Sequence, residues 1–331
     1  IADALSRLPG VNVQFGGALA MDEAERVAIR GTSPNLNLVT INGHALSSGD
    51  WHVGDQSASV RSVGFGMMPS QLVGQSIVYK SQRADVTEGG VSGSVDIITR
   101  KPLDFKKPLS GELAVGAVHA DLPGKTDPQL SGLLAWKNDA NTLGLLVQAF
   151  KEDRHLRRDG EETFSYGVIS AAQAAASGNP ALAGKRMPGS LNAVMFEGAR
   201  KRAGGFAALQ FKPNAMVELN ASAFKAELQA DNFNSSAYAL PTTLVANGWL
   251  IRNAVVDSNT IVKADLQRPA GGPGNVIGMQ FDHNLRQGAK SETAFYDLDF
   301  KLSPNEDLTL RARYGYTAGS GKTNSQPSLT Y

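Results

Sequence analysis

The sequence predicts a mainly β chain in two parts: a mixed α+β domain over residues 1–105, then antiparallel strands of a transmembrane β-barrel over residues 106–331, about seven to nine of them and so an incomplete barrel. Three observations predict this. Up to Pro102 the chain reads as short, varied elements, and beyond it as long segments in which apolar and polar residues alternate. Those segments are joined by short turns and long connections in turn. No run of about 18 apolar residues is present, so there is no transmembrane helix.

In the first part, Ala2, Leu5 and Leu8 mark a short helix ended by Pro9-Gly10. Val11–Phe15 and Arg26–Arg30 alternate as strands. Leu38-Val39-Thr40-Ile41 leads into Asn42-Gly43, a strong tight-turn pair. Pro69–Val73 opens a short helix ahead of the strand Ser76–Lys80. Three glycines, Gly89, Gly90 and Gly93, precede the strand Ser94–Arg100.

In the second part, Val217, Leu219, Ala221 and Ala223 are interleaved with Glu218, Asn220 and Ser222. Ala294, Tyr296, Leu298, Phe300 and Leu302 alternate with Asp297, Asp299 and Lys301. Leu308, Leu310, Ala312, Tyr314 and Tyr316 alternate with Thr309, Arg311 and Arg313. Alternation alone does not separate a membrane barrel from a soluble sandwich. The connections discriminate better. Residues 137–141, 212–214 and 303–307 are short, whereas long, polar, irregular extracellular loops are expected near 153–192 and 227–289, the first with a helical stretch at Ala171–Ala176. Short turns on one side and long loops on the other describe an outer-membrane barrel, its apolar faces toward lipid and its charged faces toward a wet lumen. Trp136 and Tyr316, at strand ends, suit an interfacial aromatic girdle or burial equally well.

Composition narrows the function. Lys and Arg number 32 against 31 acidic residues, so no basic excess points to nucleic acid. The absence of cysteine weakly favours an envelope compartment. Ile1 is not an initiator methionine and the sequence opens in mid-helix, so the N-terminus reads as cut.

The motifs that suggest chemistry are decoys. Gly89-Gly90-Val91-Ser92-Gly93 lacks the Lys-Ser/Thr of a phosphate loop and precedes a strand instead of a helix. Gly321-Lys322-Thr323 ends like one, but Tyr316 stands where the opening glycine belongs and a loop follows. His44, His52, His119, His155 and His283 have no metal-ligand spacing and read as surface or loop residues. Asp297 and Asp299 alternate too regularly for acid–base catalysis and read as a solvated face. No catalytic residue, metal site or cofactor is expected, and the chain is not read as an enzyme.

The stretches "IADALSRLPGV", "RVAIRGTSPNLNLVTINGHAL" and "MMPSQLVGQSIVYKSQRADVTEGGVSGSVDIITRKPLDF" together resemble, in order and spacing, the plug domain of TonB-dependent outer-membrane receptors. "GARKRAGGFAALQFKPNAMVELNASAF" is similar to early barrel strands of the same family, and "EGG…VDI.TRKP" is nearest to a branch linked to carbohydrate uptake. Such receptors close about 22 strands around the plug, so the chain is expected to hold the plug and roughly the first third of the barrel. The resemblance implies energy-coupled import of a scarce nutrient, with an oligosaccharide favoured and a siderophore or vitamin as alternatives. Its partners would be the inner-membrane TonB complex, reached through a segment upstream of Ile1, and outer-membrane lipid. Asn35, Asp50, Trp51 and His52 match outward plug apices that would hold ligand, although Trp51 equally suits packing on the barrel wall. Arg30, Lys80, Arg83, Glu88 and Arg100 match positions that make plug–barrel ionic contacts. Gly31, Gly89, Gly90 and Gly93 are read as structural, allowing backbone to pack closely. A surface receptor without transport and a soluble carbohydrate-binding sandwich are the competing readings.

Overall fold

A computed structural model describes residues 1–15, 24–47, 49, 63–81, 83, 84, 86–272 and 276–331. It divides into two compact units: residues 1–155, 198–231 and 286–325 form the first, and residues 156–197, 232–285 and 326–331 the second.

The first unit opens with helix α1 (Ala2–Leu5) and the antiparallel pair β1 (Val11–Phe15) and β2 (Ala24–Ile29), Val11 opposite Ile29. A mixed sheet follows, built from β3 (Asn37–Ile41), β4 (His44–Ala45), β5 (Val73–Tyr79) and β6 (Gly93–Thr99) in the order β4-β3-β6-β5. β3 and β6 run parallel at the centre of the sheet, and Val95 and Ile97 of β6 are fully buried with Ile29, Ile41 and Leu72. Asn42 and Gly43 both take positive φ, +50° and +83°, as a tight two-residue hairpin turn requires. The helix expected at 69–73 is a single 3-10 turn, Ser70–Leu72. Val73 already belongs to β5, so too few residues remain to close α-helical hydrogen bonds.

The second part of the chain is strand after strand: β7 (Leu109–Ala120), β8 (Lys125–Lys137), β9 (Leu143–Val168), β10 (Arg186–Phe211), β11 (Val217–Ala239), β12 (Leu250–Asp257), β13 (Thr260–Gln267), β14 (Met279–Leu302), β15 (Leu310–Lys322) and β16 (Ser328–Thr330). They form one sheet whose main path is β15-β14-β11-β10-β9-β8-β7, with β12, β13 and β16 joined to it at β10 and β14. The strands run well into the segments expected to be loops, to Val168 and from Arg186, to Ala239 and from Met279, leaving 169–185 and 240–278 as the connections. The cause is visible on β11, where the outward positions change from Val217, Leu219, Ala221 and Ala223 to Lys225, Glu227, Gln229 and Asp231. The alternation continues but changes hands there, with Ala226, Leu228 and Ala230 now the buried set, and the backbone ladder that defines a strand does not depend on which face is apolar.

Cross-strand register fixes the two faces. In β14 and β15, Ala294, Tyr296, Leu298, Phe300 and Leu302 stand opposite Ala318, Tyr316, Tyr314, Ala312 and Leu310. In β7 and β8, Leu109, Leu113 and Val115 stand opposite Trp136, Gly132 and Leu130. Tyr296, Leu298, Phe300, Tyr314, Leu113 and Val115 are all exposed. From Ala294 to Leu302 the apolar row is nine residues, roughly 26 Å at about 3.3 Å per residue, the height of a barrel's lipid-facing band. The row adjoins the short 303–309 turn. Tyr316 lies within it, in mid-strand instead of at a strand end, and its ring packs on Tyr296 with centroids 6.3 Å apart; Trp136 is next to last in β8.

The second unit has its own small core. Helix α2 (Ala171–Ala176) is started by a capping box in which Ser170 and Gln173 bond each other's backbone. Ala174 packs with Ile169, Leu182, Met187, Ile251, Ile261 and with Val245 of helix α3 (Pro241–Ala246). Ser177 Oγ accepts from Ile251 N at 2.9 Å, joining this core to the β12–β13 hairpin.

Candidate functional site

The 42–44 turn of the N-terminal domain meets the sheet's inner face within the first unit. β6 makes the turn rigid. Asp96 Oδ1 accepts from Thr40 Oγ1 at 2.7 Å and from Gly43 N at 3.0 Å, and Asn42 Oδ1 accepts from Thr99 N at 3.1 Å. From this platform Asn42 Nδ2 donates to Asp297 Oδ2 at 3.4 Å, and His44 Nε2 stands 2.8 Å from Asp297 Oδ1, an ion pair when the imidazole is protonated. Asp297 is nearly buried, its side chain 7% exposed. Opposite it in register is Gly315, where a Cβ would lie 2.6 Å from the His44 ring. Glycine is therefore what lets the imidazole rest on the strand. One pair further along, Arg313 Nε donates to Asp299 Oδ2 at 2.8 Å.

Other ties between the domain and the sheet are polar as well. Thr293 Oγ1 donates to Ser47 O at 2.8 Å, Ser291 Oγ to Gly49 O, and Leu103 N to Gln210 Oε1 at 3.2 Å. Arg202 is ion-paired with Glu152 and donates to Gly66 O. A cavity of about 250 Å³ lies beside the turn, lined by Arg100 and Thr99 from the domain and by Glu218, Asn220, Lys301 and Arg311 from the sheet. Glu218 accepts from Gln210 and Asn220, at 3.2 and 3.1 Å. Glu218, Asn220 and Ser222 thus line the inner side.

The sequence-predicted residues are scattered around this site. Arg100 makes the one predicted ionic contact to a barrel strand seen among the described residues, 3.6 Å from Glu112 on β7, with both partners substantially exposed. Lys80 instead donates to the carbonyl of Pro9, within its own domain. Arg83 lies over the ring of Tyr79 at 5.5 Å and lines a shallow depression with Glu88. Arg30 is exposed, with φ +58°, and its backbone N–H bonds Gly10 O at 2.7 Å; no ion pair of it is seen among the described residues. The contacts of Lys80 with Pro9 and of Arg83 with Tyr79 thus lie within the N-terminal domain. Asn35 is exposed on a 3-10 turn whose Ser33 hydroxyl accepts from its backbone N–H at 3.4 Å. Asp50, Trp51 and His52 lie outside the described residues.

Among the glycines, Gly90 and Gly93 make the close approaches. A Cβ on Gly90 would stand 2.2 Å from Gly93 O, and one on Gly93 2.6 Å from Tyr79 O, with φ of Gly93 at +146°. Gly89 and Gly31 take positive φ, +131° and +69°, in open surroundings. Reading by residue type missed His44, Asp297 and Gly315. The available signal was two carboxylates on the polar face of one strand facing two arginines on the next.

Residues 1–95 match the family model described as TonB-dependent Receptor Plug Domain. No curated protein matches the chain. Among solved structures, the chain is similar to a ferric enterobactin receptor mutant from Pseudomonas aeruginosa, at 12% identity and a TM-score of 0.38, covering 99% of this chain and 55% of that one. The siderophore receptor PiuA from Acinetobacter baumannii matches at 10% identity and 0.34, over 99% and 58%. The ferric citrate transporter FecA matches at 15% identity and 0.32, over 96% and 56%. The chain thus spans a little more than half the length of these structures. Residues 1–95 are thus a TonB-dependent receptor plug domain, and a barrel-type sheet with an apolar outer band follows it.

Proposed function

We propose that the chain works in TonB-dependent uptake of a scarce nutrient across the bacterial outer membrane, driven by the proton-motive force, with an oligosaccharide as the favoured substrate. The carrying observation is the polar join between the plug and the sheet, with a cavity beside it. Its ties are single hydrogen bonds and ion pairs beside a cavity of about 250 Å³. Ties of this kind exchange with water at a net cost of only about 0.5–1.5 kcal/mol each, more for charged groups. A pulling force can break them one after another, whereas an apolar join would resist as a unit. The process is transport without covalent chemistry.

The substrate class is supported by the likeness of Glu88-Gly89-Gly90 and Val95–Pro102 to the carbohydrate-linked branch. Asn35, Asp50, Trp51 and His52 are the proposed plug ligands, and the TonB complex is the proposed partner. The test uses the whole receptor in cells, with labelled maltohexaose, a ferric siderophore and cobalamin as probes. Uptake of one probe should need TonB and collapse with a protonophore. Uptake unaffected by loss of TonB, or surface binding with no uptake, would refute the importer reading.

A further inference from the structure

Two asparagines of the second unit are buried with nothing to bond. Asn192 on β10 is 3% exposed and Asn232 on β11 is 6% exposed, yet neither the amide oxygen nor the amide nitrogen of either makes a hydrogen bond. β10 and β11 are neighbours in the sheet. Along them the buried positions alternate, Ser190 and Asn192 on one and Asn232, Asn234 and Ser236 on the other, while Leu191 between the first two is exposed. These polar side chains therefore share one face.

A buried polar group left unbonded costs about 1–3 kcal/mol, and native proteins keep few of them without a reason. Here two whole amides carry that cost. They contribute no hydrogen bond to the fold, so folding does not explain their presence. On β9, the other neighbour of β10, Arg158 donates to Glu162 at 2.6 Å, so these opposite charges are matched within their own strand. The two amides themselves add donors and acceptors without charge. An amide presents a donor and an acceptor side by side, which suits a sugar's neighbouring hydroxyls, each able to donate and accept.

We propose that the Asn192/Asn232 face is a binding subsite for a neutral, hydroxyl-rich ligand, an oligosaccharide. The four amide atoms are covered in this structure, so binding displaces the groups over them. The inference takes its substrate class from the importer reading and adds a site to it.

The test reconstitutes the whole receptor in phosphatidylcholine vesicles free of lipopolysaccharide and measures binding of maltohexaose, xylohexaose, a β-glucan hexaose and ferric citrate by calorimetry. At least one neutral oligosaccharide should bind. Asn192→Leu and Asn232→Leu should each weaken it by about tenfold or more, while the thermal midpoint stays level or rises because an unbonded amide has been removed. Asn192→Ser, which keeps a neutral hydrogen-bonding group in the form of a hydroxyl, should insert normally and lose less affinity than Asn192→Leu. Binding of ferric citrate alone, wild-type affinity in the variants, or a fall in their thermal midpoint would each overturn the proposal. TonB-dependent uptake of ferric citrate with no glycan binding would sink the subsite and leave the importer reading standing. Glycan binding lost in both variants, in a receptor whose uptake ignores TonB, would do the reverse.

Discussion

His44 occupies space that any side chain at position 315 would take, and its imidazole stands 2.8 Å from the nearly buried carboxylate of Asp297. Among the described residues, removing His44 leaves that carboxylate with the long Asn42 hydrogen bond and the more distant Arg313 charge. The cost should fall below the roughly 3–5 kcal/mol of a fully buried pair, since His44 is partly exposed and a cavity adjoins the turn. In the whole receptor, His44→Ala should loosen the plug and raise sensitivity to a large antibiotic. Adding Asp297→Asn should cost less on the His44→Ala background than on wild type, with a coupling above about 0.5 kcal/mol. Gly315→Val should behave like His44→Ala because it evicts the ring. Additive effects of the two substitutions on plug unfolding would show that they do not form a pair. Residue by residue, this site was only partly legible. Gly90 and Gly93 were readable because crowding before a strand leaves a composition signal. The His44–Asp297–Gly315 arrangement joins positions more than 250 residues apart, and no local pattern encodes that pairing.

At the scale of elements, the alternating strands carry the membrane band. Leu298 is the middle of the nine-residue row from Ala294 to Leu302 and is exposed. Leu298→Arg should cost roughly 2–4 kcal/mol if that position meets the bilayer midplane, read as lower yield of heat-modifiable, inserted receptor; an unchanged yield would contradict the placement. Asp127 stands on β8 just beyond the apolar row, outside the band. Burial pushes its carboxyl upward, but the side chain and backbone N–H of His155, both at 2.6 Å, outweigh this and hold it below the usual carboxylate range. Its contribution is therefore full above the unfolded carboxylate value of about 4 and is lost as pH falls through the lower folded value. Asp127→Asn should flatten the acid limb of the stability curve, and an identical limb would show that the pair contributes nothing. The strands were legible where one face is apolar, as from Val217 to Ala223. Past the band, Lys225 to Asp231 still alternate, but the outward residues turn polar and Ala226, Leu228 and Ala230 turn inward, so the lipid-facing stripe that marks the strand ends there while the strand does not.

For the whole molecule, two types of surface follow from one repeating pattern. Along the band the outward row is apolar because it meets lipid, and the inward row carries Asp297, Asp299 and Lys301 beside the plug, while at its end Phe206, Phe224 and Phe295 pack together on the inner face. The plug was recognisable from its turns and glycines, within the residues 1–95 that the family model matches. The most direct test of this account exploits the chain's lack of cysteine. Single cysteines at positions 296 to 301 of the whole receptor in outer membranes would carry a spin label, with relaxation by oxygen, which partitions into lipid, compared with a water-soluble nickel complex. Labels at Tyr296, Leu298 and Phe300 should respond to oxygen, and labels at Asp297, Asp299 and Lys301 to nickel or to neither. Nickel access at all six positions, or the opposite alternation, would contradict a lipid-facing sheet with a plug on its inner side.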